Sequence, residues 1–293
     1  MEDLQSINRQ IDSAEKLQSI VSTMKAHASA NITQFQNAAG ASMIYRKVLD
    51  MGLYVIVAGD KEKKRLQPQQ KGSTLHIVFG SDYGLAGRFN ERIAEFAIKK
   101  ITPGKEAVII AIGQQILPRL TDQLMVSRTL PVPLTEKGIT SMVQKLLFEI
   151  DEIRDEKDIE TIMLYYNKPI QLTLFEEESE RLFPIDFEKL EKSKVEWKSN
   201  SLPTYLITRE TLFSDLIQQY FFITLYRSFC YSLASENASR LASMEAAGKN
   251  IDDRLDQLNA SYRRQRQDQI TEEISDVISG FKAIKKTNDH ATD

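Results

Sequence analysis

Near the start of the chain, Leu4, Ile7, Ile11, Ala14, Gln18, Val21, Met24, Ala28, Asn31 (or Ile32), Phe35 and Ala39 follow one another at steps of three and four. The apolar stripe is narrow, and polar runs such as Asn8-Arg9-Gln10 lie between its members. That width suits a coiled-coil seam better than a helix lying on a globular core. The other end of the chain carries a matching stripe: Leu241, Met244, Gly248, Ile251, Leu255, Leu258, Tyr262, then Gln265 and Gln269, then Ile270, Ile274, Val277 and Phe281. Two seams at opposite ends, with a compact insert between them, predict an antiparallel pair of long helices. A single helix over residues 205–284 is about 120 Å long at 1.5 Å per residue. No domain of this size covers such a rod, so the pattern also predicts a partner for the part that projects.

The middle of the chain changes period. Leu75–Phe79, Ala107–Ile112 and Ile162–Tyr166 are short apolar runs of strand type, bounded by glycine, proline or asparagine. Between them Arg88–Lys100, Gln114–Asp122 and Gly138–Arg154 read as amphipathic helices. The order β-α-β-α-α-β predicts a small parallel sheet covered on both faces. Ile170–Phe175 and Leu182–Ile185 are expected as edge strands, and residues 190–203 as irregular. The expected fold class is α/β plus long helices: an antiparallel coiled coil of the N- and C-terminal helices with an inserted Rossmann-like parallel-sheet domain. The expected boundaries are 1–60 for the first helix, 73–195 for the α/β domain, 204–286 for the last helix and 287–293 for a polar tail.

Proline placement supports this division. All eight prolines fall between Pro68 and Pro203, and proline-free tracts permit long helices because no backbone donor is lost and no preceding turn is clashed with. The 293 residues are 42% hydrophobic and 27% charged, ordinary for a folded chain with a proper core. A net charge of −3 gives no basic balance that would advertise nucleic-acid binding. One cysteine, Cys230, rules out an internal disulfide framework, and His27, His76 and His290 are too scattered to pair on a metal. The longest apolar stretch, Tyr220–Ala234, contains Arg227 and is shorter than the ~20 residues of a membrane-spanning helix. The acidic opening Met1-Glu2-Asp3 does not resemble a signal peptide. A soluble, cytosol-facing protein is expected.

Candidate chemistry is sparse. Phe79-Gly-Ser-Asp-Tyr-Gly-Leu-Ala-Gly-Arg-Phe-Asn90 follows a strand and opens a helix, where a dinucleotide fold holds pyrophosphate. Its glycines, Gly80, Gly84 and Gly87, are spaced GxxxGxxG and lack the paired GxG that lets phosphate approach. The loop, with Asp82, is therefore expected as a structural turn. Gly248-Lys249-Asn250 lacks the remaining parts of a phosphate loop. Glu176–Glu178 and Glu180 are expected in a solvent hairpin bend, and Cys230, among aromatics, as a packed small hydrophobe. No catalytic residue, cofactor or metal is assigned. The arginines at 263, 264 and 266 stand out, because the seam turns from Leu258 and Tyr262 to glutamine at the same place. A rod that becomes arginine-rich there is built to meet acidic loops on another subunit.

These residues resemble the gamma subunit of F-type (rotary) ATP synthases. The likeness is strongest from Pro203 to Ala283. Ser235-Glu-Asn-Ala-Ser-Arg-Leu-Ala-Ser-Met244 is similar to that family's Ser-Glu-x-x-x-Arg-Met-x-Ala-Met block, and Arg266-Gln-Asp-Gln-Ile-Thr-Glu-Glu273 with Asp276 and Gly280 to its C-terminal signature. The Gly80–Asn90 loop resembles the family's Ser-Asp-Arg-Gly-Leu-Cys-Gly turn, and Met24–Ser29 its Met-x-x-Val-Ala-Ala-Ser. The resemblance implies a central-stalk rotor, itself non-catalytic, that couples ion flow through a membrane ring to ATP synthesis or hydrolysis. Implied partners are the alpha and beta subunits of the catalytic hexamer, the epsilon subunit and the ring of c subunits, with no nucleic acid and no cofactor. The implied place is the cytoplasmic face of a bacterial membrane. By position, Arg266, Gln267 and Thr271 match residues that touch the beta subunits' acidic catch loop, and Met24 a residue near the beta lever. Tyr83 and Ala86 depart from the family's turn, Asn31 and Ser19 from its basic N-terminal helix, Arg263 from an asparagine and Phe281 from an alanine. Such departures suit a diverged copy from an alternative bacterial ATPase operon. The rival readings are a nucleotide-binding α/β enzyme with helical arms and a general coiled-coil scaffold.

Overall fold

The computed structural model describes residues 4–57, 72–101, 107–170, 174–186 and 204–289, with side chains to residue 280. The expected irregular stretch 190–203 and the side chain of Phe281 lie outside this set. The proline-free tracts form two long helices, α1 (Leu4–Val57) and, last in the chain, α5 (Arg209–Asp289). Contacts divide the chain into two units, Met1–Ala26 with Met244–Asp293, and His27–Ser243.

In the first unit the two seams meet as the three-and-four spacing predicts. Ile7, Ile11 and Leu258 are buried together, with Leu255 and Tyr262 packed on them. Arg254 donates to Gln10, and Gln18 donates to Asp252. A Cβ on Gly248 would meet Val21 at 3.7 Å. Rising numbers on α1 meet falling numbers on α5, so the pair is antiparallel.

The second unit holds the rest of both helices and the sheet: β1 (Ser73–Phe79), α2 (Phe89–Lys100), β2 (Ala107–Ile112), α3 (Leu117–Thr121), β3 (Arg128–Leu130), α4 (Glu136–Glu156), β4 (Ile159–Pro169) and β5 (Phe175–Phe183). Within it Asn31 reaches Asn237 and Arg46 reaches Thr224, so the helices remain antiparallel. The strand order is β3-β2-β1-β4-β5, with β5 alone antiparallel to its neighbour. Period-two alternation sorts the side chains between two cores. Leu75, Ile77, Phe79, Val108, Ile110, Ile112, Leu164 and Tyr166 face the layer of α1, α4 and α5. Val78, Ile109, Ala111 and Tyr165 face α2 and α3.

Three expectations are corrected. The order is β-α-β-α-β-α-β-β, because Arg128-Thr-Leu130 forms a short parallel strand that no alternation announces. Of the expected edge strand Ile170–Phe175, residues 171–173 lie outside the described set, Ile170 and Leu174 are joined by a hydrogen bond but are not strand, and β5 begins at Phe175. Glu176, Glu177, Glu178 and Glu180 are not a solvent bend but strand residues of β5, paired with β4. Three of these carboxylates have cationic partners: Arg92 for Glu177, Lys168 for Glu178, and Arg227 for Glu180.

Alternation also places His76 inside, where its Nδ1 lies 3.0 Å from the Tyr165 hydroxyl and the rings tilt together. Burial pushes the imidazole down to about 4 from its ordinary 6.5 and the Tyr165 phenol up to about 12. The folded state thus holds fewer protons than the unfolded state below pH 6.5. The stability contributed by a neutral His76 is complete above pH 6.5 and is lost as pH falls towards 4, by up to about 3 kcal/mol. Urea unfolding across that range is expected to show this slope, and His76→Gln to flatten it. Parallel pH profiles for the two proteins would contradict the assignment.

Candidate functional site

The order β3-β2-β1-β4 reverses between β1 and β4, and open sheets of this kind bind ligands beyond the strands' carboxyl ends at that switch point. Here α5 occupies the place. Thr224, Ser228, Ser232, Ser235 and Ser239 recur at helical spacing and are buried, with Ser243 next in line. Small side chains let the helix backbone approach closely, and the hydroxyls are satisfied locally. Ser235 donates to the carbonyl of Asn167 near the end of β4, and Ser239 donates at 2.6 Å to that of Ala86. Thr224, Ser228 and Ser243 donate to the carbonyl four residues back.

The glycine loop is held from the same side. Gly87 has φ +54°, and a Cβ there would lie 2.7 Å from Ser243 Oγ. A Cβ on Gly80 would sit 2.6 Å from that of Ile116. Asp82 ties three strand ends together: Oδ1 accepts from Gln114 N–H at 3.0 Å and Oδ2 from Val132 N–H at 2.7 Å. Three backbone donors at the two ends of the loop have partners within the chain: Gly80 N–H on Ile112, Ser81 N–H on Asn90 Oδ1, Phe89 N–H on Ala86. Gly84 differs, with open space around it and an ordinary φ. The loop tip is exposed at Tyr83 and Leu85, and Leu85 takes the left-handed φ of +61° that costs a non-glycine residue about 1–2 kcal/mol. Arg240 reaches from α5 towards the Gly84 carbonyl and pairs at 2.6 Å with buried Glu236. Burial raises the Glu236 pKa above the usual carboxylate range, while Arg240 opposes the rise.

A different surface lies at the end of α5. Arg263, Arg264, Arg266, Gln267 and Thr271 are all exposed. Thr271 Oγ1 donates to the Gln267 carbonyl at 2.9 Å, which places these two on one face. Beyond them Ile270, Ile274, Val277 and Ile278 form an exposed apolar stripe, between 47% and 72% accessible. An apolar helix face of that length with nothing over it is a surface made for a partner. Met24 is half-buried and not part of this group. Val21 faces Gly248, so Met24 lies about 20 residues up α5 from Arg266, roughly 30 Å.

Sequence reasoning missed a polar network on the β5 side of the sheet. Arg227 donates to both Glu180 oxygens at 2.7 and 2.9 Å, and Tyr166 donates to the same carboxylate at 2.8 Å. Arg46 caps the Tyr220 ring at 3.7 Å and bonds Asp50 and Thr224. The one available signal was Arg227 itself, a charge inside the most apolar stretch of the chain. Burial pushes the Cys230 thiol up to about 12, which leaves it protonated and unreactive. Among the described residues no group of His, Cys, Asp and Glu could hold a metal, and no helix is long and apolar enough to cross a membrane.

The family model described as ATP synthase matches residues 3–284. Among curated proteins, the sodium-ion-specific ATP synthase gamma chain of Acetobacterium woodii is 24% identical over 299 residues, covering 97% of this chain and 99% of that one. The ATP synthase gamma chain of Mycoplasmopsis pulmonis is 29% identical over 287 residues, covering 96% and 99%. Among solved structures, a chain of the Euglena gracilis mitochondrial ATP synthase OSCP/F1/c-ring assembly in rotational state 3 aligns with a TM-score of 0.66. It has 15% identity and covers 96% of this chain and 94% of its own.

With its switch point filled by its own helix, the purified chain is expected to show no saturable micromolar nucleotide binding in calorimetry. The loop glycines should separate cleanly. Gly87→Ala combines a left-handed φ with a 2.7 Å approach and should lower stability by about 1–3 kcal/mol, whereas Gly84→Ala should stay within about 0.5 kcal/mol. Equal effects at the two positions, or tight nucleotide binding lost in Gly87→Ala, would contradict the structural role of the loop.

Proposed function

The chain belongs to the ATP synthase gamma family, and from that premise we propose that it turns as the central-stalk rotor, coupling ion flow through a membrane ring to ATP synthesis or hydrolysis on other subunits. The observation that carries this reading is the end of α5. A helix anchored in a core by Tyr220–Ala234 and seamed to α1 through Leu258 goes on to present arginines, a Gln–Thr face and a bare isoleucine stripe. Such a surface has no use in an isolated enzyme. Inside a ring of subunits, the apolar stripe slides against an apolar sleeve while the arginine fork meets carboxylates at particular angles.

In this reading residues 1–60 and 204–286 serve as the shaft, and residues 73–195 as the part that meets the epsilon subunit and the c ring. The alpha and beta subunits surround the shaft and supply all nucleotide chemistry; this chain supplies asymmetry and stiffness and is not itself an enzyme. It works as a peripheral subunit at the cytoplasmic face of the membrane. Gly80, Asp82, Gly84 and Gly87 belong to a structural loop, Met24 sits near a beta lever, and Arg266, Gln267 and Thr271 engage an acidic catch on beta.

A contact made at only some rotary angles changes the barrier between them and not the fold. A charge-assisted hydrogen bond of this kind contributes ~1.5–3 kcal/mol. Replacing Arg266, Gln267 and Thr271 together with alanine should leave helix content and assembly near normal. ATP turnover by the complex should fall about tenfold for each ~1.4 kcal/mol lost from the limiting step. Glu176→Gln, an exposed change on β5, should leave turnover unchanged. A catch variant that assembles and runs at full speed would falsify the assignment.

A further inference from the structure

A second basic surface lies within the two-helix unit, well up the seam from Arg266. Ser6, Arg9, Gln10, Ser13, Ala14 and Leu17 of α1, with Arg254 and Leu258 of α5, line a groove of about 360 Å³. Residues 6, 10, 13 and 17 fall at helical spacing, so they form a stripe beside the buried seam of Ile7, Ile11 and Ala14. The floor is apolar, from Ala14 and Leu258, and Leu17 at one end is 53% exposed.

The charges are unusual. Arg9 and Arg254 line the groove, and among the described residues no aspartate or glutamate does. Among the described residues neither arginine has a carboxylate partner: Arg254 donates only to the neutral amides of Gln10 and Gln257. Acids are plentiful on the same helices, at Asp12, Glu15, Asp252, Asp253 and Asp256. Asp252 is engaged elsewhere, accepting from Gln18. Two guanidiniums without a carboxylate partner among the described residues, beside an aliphatic floor, form a receptor for a carboxylate that carries a hydrocarbon neighbour.

We propose that this groove is a second docking site for the catalytic hexamer, taking an acidic segment of an alpha or beta subunit whose carboxylate lies between Arg9 and Arg254 while an adjacent aliphatic side chain covers Leu17. The proposal rests on the rotor reading, since it needs subunits around the seam. It adds a contact distinct from the arginines at the end of α5, about ten residues away from Arg264 along the helix, or roughly 15 Å. Two contacts at different heights hold a shaft against tilting, which a single one cannot do.

The test uses the intact complex. Arg254→Lys puts a primary amine in the groove, and a water-soluble carbodiimide joins that amine to a carboxylate only on direct contact. Peptide mass spectrometry is expected to find position 254 joined to an aspartate or glutamate of alpha or beta. In a complex that assembles normally, a position 254 joined only to this chain's own acids, or to nothing, overturns the groove proposal and leaves the rotor reading standing. A chain that does not assemble with alpha and beta at all removes both. Separately, the double variant Arg9→Gln with Arg254→Gln should lower turnover of the assembled complex about tenfold, the equivalent of ~1.4 kcal/mol on the limiting step. Asp12→Asn, outside the groove, should not lower it. Full turnover in the double variant also overturns the proposal.

Discussion

The close contact between the serine face of α5 and the carboxyl ends of β1 and β4 is the constraint on which the rest depends. A doubly wound sheet leaves a crevice at its switch point, and filling it with a helix requires side chains small enough for backbone to approach backbone. Ser235 and Ser239 meet that need and donate to the Asn167 and Ala86 carbonyls, while Thr224 and Ser228, further along the same face, donate to carbonyls of their own helix. Larger side chains there would lift α5 away, and with it the Phe79–Phe229 edge contact that seats the helix on the sheet. The same packing closes the site where an enzyme of this fold would hold its substrate.

One helix therefore passes through three environments. From Tyr220 to Ser239 it is core, from Met244 to Tyr262 it is half of a two-helix seam, and from Arg266 to Gly280 it is exposed all round. Helix formation is costly to nucleate and inexpensive to extend, so the anchored stretch lets the exposed one persist without a core of its own. Local bonds such as Gln269 to Glu273 and Thr271 to Gln267 add small increments along the way. The arginines thus stand at the end of a structure whose stability is set far from them.

Much of this was legible from residue order. Proline-free tracts gave the long helices, seam spacing their pairing, and short apolar runs bounded by glycine, proline or asparagine the three central strands. What escaped was whatever depends on partners distant in sequence. Arg128-Thr-Leu130 is too short to show a period and becomes a strand only because β2 presents an edge to it. The glutamates of β5 resemble a solvated bend until Arg92, Lys168 and Arg227 arrive from α2, β4 and α5. The Arg9–Arg254 groove joins residues 245 positions apart, and neither helix alone suggests it. Conversely, Arg266, Gln267 and Thr271 were legible chiefly through family resemblance, because an exposed helix end carries no packing signal of its own.

Cys230 has a practical meaning. It is the chain's sole thiol, fully enclosed beneath aromatic rings and held protonated by its surroundings. A thiol of that kind reacts only when the structure around it opens, so its labelling rate is a clock for that opening. Under conditions where refolding outpaces labelling, the rate reports the free energy of exposing the core beneath α5. At shorter times the thiol is silent, and a cysteine introduced anywhere on the surface can carry a dye or a crosslinker without competition from the native residue.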